Sequence, residues 1–219
     1  MSKFLFVTWD GGGNQPPARR IAAELEARGH DTRWLTLPET PLDLSAVPPP
    51  DRSPMVIARI MANPAHVDAV RADLAAAPAD VLVVDCLLFG ALAAAWILEL
   101  PACCLVHTAP GGFGGPDPGN PNAQRLLTAI NEMHSTLGLG PVNDPWQIWA
   151  ADNPVIASFP ELDAPPAAEV PEFDWIGPIL DDPTYRDAAA RLQAAISATP
   201  GAPGAADRIE ALAQTRAHR

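Results

Sequence analysis

Apolar residues recur along this chain in two rhythms. Residues 3–9 (KFLFVTW) form a short run rich in aromatic and β-branched side chains, and three glycines, Gly11, Gly12 and Gly13, follow it closely. Beyond them Ile21, Ala22 and Leu25 return at helical spacing. Arg19, Arg20, Glu24, Glu26 and Arg28 make the opposing polar face, and Gly29 stands where a helix C-cap belongs. Residues 31–37 (DTRWLTL) read as a second strand. Strand, glycine-rich turn, helix and strand make a βαβ unit, whose default is a right-handed parallel crossover.

The alternation continues. Residues 38–54 are proline-rich without period and read as a loop. Met55, Ile57, Ile60, Met61, Val67, Val70 and Leu74 mark one helix over 55–77, interrupted near Asn63-Pro64. Residues 80–85 (DVLVVD) and 102–107 (ACCLVH) are unbroken apolar runs, as expected of strands covered on both faces of a parallel sheet. The apolar helix between them, 87–99, must itself be buried. Residues 108–122 (TAPGGFGGPDPGNPN) cannot be regular structure, and such a loop inside a compact domain is usually functional or mobile. A helix over 123–137 carries Leu126, Leu127, Ile130, Met133 and Leu137. Two short strands follow at 154–158 and 173–177, then two alanine-rich helices, 183–199 and 203–216, separated by Thr199-Pro200-Gly201. The pattern predicts an α/β fold: a doubly wound, mostly parallel, Rossmann-like sheet with helices on both faces and a C-terminal helical tail packed back on it. Residues 1–180 form the domain and 181–219 the tail, with Ile196, Ile209 and Leu212 expected to be buried.

Composition narrows the function. With 48% hydrophobic and 18% charged residues among 219, the chain can bury a core and is not wholly disordered. The formal net charge of −12 repels phosphate backbones and anionic lipid, so nucleic acid is not an expected partner. No apolar run approaches the ~20 residues that span a bilayer, and the N-terminus lacks the long apolar region of a secretory signal. Cys86, Cys103 and Cys104 are odd in number and lie in apolar segments. They read as buried thiols of a cytoplasmic protein, without zinc-ligand spacing, and no metal or cofactor is expected. His30 and His66 read as solvent-side.

In doubly wound sheets ligands bind beyond the carboxyl ends of the strands. That singles out Asp10 to Asn14, Asp85 to Phe89 and His107 to Phe113. The glycine turn is not a dinucleotide fingerprint: Gln15 and Pro16 stand where a third glycine should fall, and Leu37-Pro38 where an acidic ribose ligand should. A nicotinamide-type oxidoreductase is disfavoured accordingly. Asp85 is either the cap of the following helix or a site residue, or both. His107 is either a satisfied core histidine or a site residue. Trp9, Phe89, Phe113, Met133, Trp146 and Trp149 could line an apolar pocket, although core packing accounts for each taken singly.

Three stretches carry a resemblance. FLFVTWDGGGNQPPARRIAAELEARGHDTRWL, ADVLVVDCLLFGALAAAWILELPACCLVHT and PVIASFPELDAPPAAEVPEFDWIGPIL, in this order, resemble the N-terminal, acceptor-binding domain of GT-B fold glycosyltransferases. The likeness is to the actinobacterial natural-product branch related to UDP-glucuronosyltransferases. The family places a general-base histidine after the glycine turn and orients it with an aspartate after a later strand. On this pattern Asp85 is the orienting aspartate, but Asn14 occupies the base position. Asn has no suitable pKa to accept a proton. Its presence implies an acceptor acidic enough to need little help, another base (Asp10 or Asp85), or no catalysis. Trp9, Gly12, Gly13, Phe89, His107, Thr108, Phe113, Met133 and Trp146 would surround a lipophilic, perhaps aromatic, acceptor.

The resemblance implies a second domain that binds the nucleotide sugar, the co-substrate of a full-length parent; no stretch matching it is found. After WIGPILDD the chain passes to YRDAAARLQAAISATPGAPGAADRIEALA, which resembles the extreme C-terminus of the same family. The expectation is therefore an acceptor-binding half, inactive alone, its donor domain deleted. The rival expectation is a non-enzymatic small-molecule binding module or a partner subunit, completed by a donor domain or by a second copy of itself.

Overall fold

A computed structural model describes residues 1–11, 13–39, 42–108, 121–157, 174–176 and 199–216. Six strands form one parallel sheet in the order β2-β1-β3-β4-β5-β6. They are β1 (Lys3–Thr8), β2 (Asp31–Thr36), β3 (Val81–Asp85), β4 (Ala102–Val106), β5 (Val155–Ile156) and β6 (Asp174–Trp175). The helices are α1 (Gln15–Ala27), α2 (Pro49–Val56), α3 (Ala65–Ala76), α4 (Phe89–Ile97), α5 (Pro121–Leu137), α6 (Trp146–Ala151) and α7 (Gly201–Arg216). The chain winds from β1 outward to β2, then returns to lay β3 on the other side of β1. The switch point of the sheet therefore lies between the carboxyl ends of β1 and β3, where such folds open a crevice.

The two faces of the sheet follow from the period-2 alternation of the strands. Phe4, Phe6, Val81, Val83, Cys103 and Leu105 point to one face and pack with Ile21, Leu25, Ala205, Ala206 and Ile209 of α1 and α7. Leu5, Val7, Leu82, Val84, Cys104 and Val106 point to the other, beneath α3, α4, α5 and α6. Every residue from Phe89 to Ala95 is buried, as an apolar helix lying between two layers must be. Gly29, at φ 85°, ends α1 in the left-handed conformation that glycine adopts without strain.

The tail docks as the amphipathic pattern requires. Ala205, Ala206 and Ile209 are fully buried and Leu212 is half-buried; of the helix expected over 183–199, all but Thr199, and Ile196 with it, lies outside the described residues. The Gly201 backbone N–H donates to Ile176 O at 2.7 Å, which ties the start of α7 to the end of β6.

Four expectations need correction. The helix placed at 55–77 begins at Pro49, inside the segment read as loop. Pro49 and Pro50 occupy the first turn of α2, where no backbone N–H is needed. The helix then widens into a π-turn at Ile57–Met61 before the break preceding α3. The short helix α6 was not expected. His30 is half-buried: its Nδ1 accepts from Ser2 N at 3.1 Å and its Nε2 donates to Glu210 Oε1 at 2.9 Å, clasping α7. His66 is buried on α3 and neither ring nitrogen has a hydrogen-bond partner among the described residues.

Burial pushes the His66 imidazole down to about 4. The unfolded chain, with an ordinary histidine near 6.5, binds this proton more readily than the folded one. His66 therefore contributes a loss of stability as pH falls from about 6.5 to about 4. Urea melts of wild type and His66→Leu across that window will check it. The stability difference should shift in favour of the variant on acidification, and a pH-independent difference would contradict the assignment.

Candidate functional site

The sheet order brings together three residues separated by up to ninety-three positions in sequence. Asn14 follows β1 and caps α1, Asp85 ends β3, and His107 lies just past β4. Strands β3 and β4 pair with Asp85 opposite Leu105, so His107 projects beyond the sheet next to the turn after Asp85. Asp85 is the junction. Its Oδ2 accepts from Asn14 Nδ2 at 2.7 Å; its Oδ1 accepts from His107 Nε2 at 3.0 Å and from Leu87 N at 2.9 Å.

Asp85 is 4% exposed, and a buried carboxylate needs compensation. These three donors, with the positive N-terminal ends of α1 and α4 close by, supply it. Asp85 does not cap α4 in the ordinary sense: that helix begins at Phe89 with Leu88 as its cap residue, and the Asp85 side chain instead closes a tight turn onto Leu87 N.

Asn14 is equally committed. Its Nδ2 donates to Trp9 O at 2.8 Å as well as to Asp85, and its Oδ1 accepts from Gly11 N at 3.1 Å. The amide straps the glycine turn to the end of β3, and an amide is too weakly basic to take a proton at neutral pH. His107 is held above the ordinary histidine value. Burial opposes its charge, but the Cys86 sulfur and the Asp85 carboxylate outweigh that penalty. Its Nε2 faces the Asp85 carboxylate as a hydrogen-bond donor.

The other residues proposed from sequence are distributed as follows. Trp9 is half-buried, and its ring lies across Gly11, where a Cβ would stand 2.6 Å from the ring. Its indole Nε1 is buried without a partner among the described residues. Gly13 and Asp10 are exposed beside the turn, and Thr108 is half-buried next to His107. Phe89, Met133 and Trp146 are buried in the core, with Phe89 and Trp146 flanking Trp149 at ring separations of 6.4 and 6.1 Å. Gly12 and Phe113 lie outside the described residues. Beneath Asn14 and Asp85 is a cavity of about 10 Å³ lined by Phe6, Thr8, Ala18, Val83 and Leu105, room for about one water molecule.

One participant was missed by the sequence reading. Cys86 is buried as expected, but its sulfur belongs to the site: Asp85, Cys86 and His107 place one ligand atom each within 4.8 Å of one another. The usable signal was topological, since Cys86 and His107 follow neighbouring parallel strands at nearly the same level.

The sequence matches no protein-family model and no curated protein. Solved structures do match. The glycotransferase of kitacinnamycin aligns with a TM-score of 0.59 at 16% identity, over 84% of this chain and 54% of that one. UGT2 of Phytolacca americana, solved with UDP-2-fluoro-glucose and pterostilbene, aligns with a TM-score of 0.54 at 14% identity, over 87% and 57%. The glycosyltransferase VinC, solved with dTDP, aligns with a TM-score of 0.52 at 12% identity, over 84% and 56%. This chain thus spans about half the length of each of these three structures. At such identities the likeness is one of architecture: the chain has the Rossmann-like fold of GT-B glycosyltransferases.

Proposed function

We propose that this chain is the acceptor-binding half of a nucleotide-sugar-dependent glycosyltransferase acting on a lipophilic, aromatic natural product, with residues 1–180 as the binding domain and 181–219 as its returning tail. The carrying observation is the Asn14–Asp85–His107 network at the topological switch point of a glycosyltransferase fold. The solved neighbours of that fold include one holding the flat phenol pterostilbene and another holding dTDP. An acceptor would lie against the Trp9 ring, above the glycine turn, with the indole Nε1, unpartnered among the described residues, as a donor for one of its oxygens.

The network orients a ligand and does not deprotonate it. Asn14 is too weakly basic to take a proton, His107 Nε2 is engaged by Asp85, and the Asp85 carboxylate is bound by three donors. This arrangement suits phenolic acceptors, whose hydroxyl is acidic enough to react with little assistance. The same saturation fits the second reading, a binding module that performs no chemistry.

A thermal-shift series with flat polycyclic phenols tests the proposal. A ligand at a hundred times its Kd stabilises the folded chain by about 2.7 kcal/mol. Wild type should therefore melt several degrees higher with the right aglycone. Trp9→Phe, which keeps a ring and removes the indole N–H, should give a smaller shift. No shift with any phenol, or equal shifts in both proteins, would contradict the placement of the acceptor.

A further inference from the structure

The acceptor placement proposed above does not use Cys86, yet its sulfur lies with His107 and Asp85 in one group of donors at the tips of β3 and β4, with Asp85 and Cys86 buried. We propose that Asp85, Cys86 and His107 form a binding site for a thiophilic divalent cation of the zinc type.

The donor set argues for the class of ion. One sulfur, one imidazole nitrogen and one carboxylate oxygen suit borderline-soft metals and not calcium or magnesium, which take oxygen ligands. Three protein ligands leave a fourth tetrahedral position for water or a ligand. A carboxylate and a thiolate balance a divalent charge, and the acidic chain, at −12, concentrates cations around it.

The surroundings resemble the outer shell that orients metal ligands. Asn14 Nδ2 holds Asp85 Oδ2 at 2.7 Å, leaving Oδ1 toward His107. Trp149 Nε1 donates to Cys86 O at 2.7 Å, fixing the backbone that carries the thiol. In the metal-free arrangement a proton bridges His107 Nε2 and Asp85 Oδ1. On binding, the cation replaces that bridge, and His107 Nε2 and the Cys86 thiol release their protons to solvent.

A nucleophilic Cys–His–Asp triad is the competing account of the same cluster, and the backbone argues against it. Cys86 N donates to Leu105 O at 3.1 Å, Leu88 N to Asp85 O at 2.9 Å and Leu87 N to Asp85 Oδ1. The N–H groups of Cys86, Leu87 and Leu88, the ones nearest the sulfur in sequence, are thus all engaged and not free for an oxyanion.

The test is titration of the full chain with cobalt(II), whose tetrahedral thiolate complexes absorb in the visible and show a sulfur-to-metal charge-transfer band in the near ultraviolet. Wild type should develop both features at one equivalent. Cys86→Ser should lose the charge-transfer band and His107→Gln should weaken binding at least tenfold. Because Cys86→Ser is a buried change, the Cys103→Ala/Cys104→Ala double variant provides the complement: with Cys86 as its only thiol it must keep the band. No charge-transfer band in wild type, its survival in Cys86→Ser, or its loss in the double variant would each overturn the proposal.

Discussion

Asp85→Ala is expected to destabilise the chain by about 4 kcal/mol, the cost of removing one partner from a buried charged network. The carboxylate answers three donors at once: Asn14 Nδ2, Leu87 N and His107 Nε2. Alanine leaves all three without an acceptor, and each buried donor so orphaned costs about 1–3 kcal/mol, though the terms do not add when the groups share a site. In a chain of this size the melting temperature should fall by roughly 10 °C. Urea denaturation followed by circular dichroism gives the free energy directly. Asp10→Ala is the control, because Asp10 is exposed and outside the network, and it should change stability by less than about 0.5 kcal/mol. If Asp85→Ala also fell within 1 kcal/mol of wild type, Asp85 would not be the junction described here.

Gly90→Ala is the second large effect, and its sign runs against helix propensity. In an exposed helix interior the change would stabilise by up to about 1 kcal/mol. Here a Cβ would stand 2.1 Å from the backbone oxygen of Asn63 and 3.1 Å from His66 Nδ1. The first is main chain and cannot turn aside, so α4 must move off the α2–α3 break. We expect a loss of about 3 kcal/mol, at the upper end for overpacking a core. The consequence reaches the site, because α4 follows directly from the Asp85 turn, and displacing it disturbs the Leu87 N–H that Asp85 accepts. Phenol binding should weaken along with stability. Gly13→Ala, whose Cβ would meet nothing within 4 Å among the described residues, is the matched control for stability. Differential scanning calorimetry of both variants decides the matter, and a neutral or stabilising Gly90→Ala would refute the packing of α4 against the Asn63 turn.

The architecture was legible because two periodicities dominate the chain. Phe4 and Phe6 alternate with Leu5 and Val7 across β1, and the same alternation in β3 and β4 separates the two cores. The rule that ligands bind at strand tips then selected Asn14, Asp85 and His107 before their contacts were visible. The resemblance implied that Asp85 faces Asn14; that His107 joins them depends on β4 lying beside β3, a long-range fact no local pattern encodes. Cys86 escaped for the same reason, since its apolar neighbours mark it only as buried. His66 did carry a local signal. It stands one turn from Val70 and adjoins Val67, both buried on α3, so helical spacing places it on the core face despite its polarity. The start of α2 was hidden by its prolines, which break helices in the interior but suit a first turn.

On the proposed function, an aromatic acceptor binds at the β1–β3 switch point and the sugar donor is held outside this chain. Isothermal titration calorimetry of the full chain, once with a flat phenolic aglycone and once with UDP-glucose or a dTDP-sugar, tests it most directly. Saturable heat is expected from the phenol, abolished by Asp85→Ala at a temperature where that variant is folded, and none from either nucleotide sugar. Saturable binding of a nucleotide sugar with no response to any phenol would contradict it.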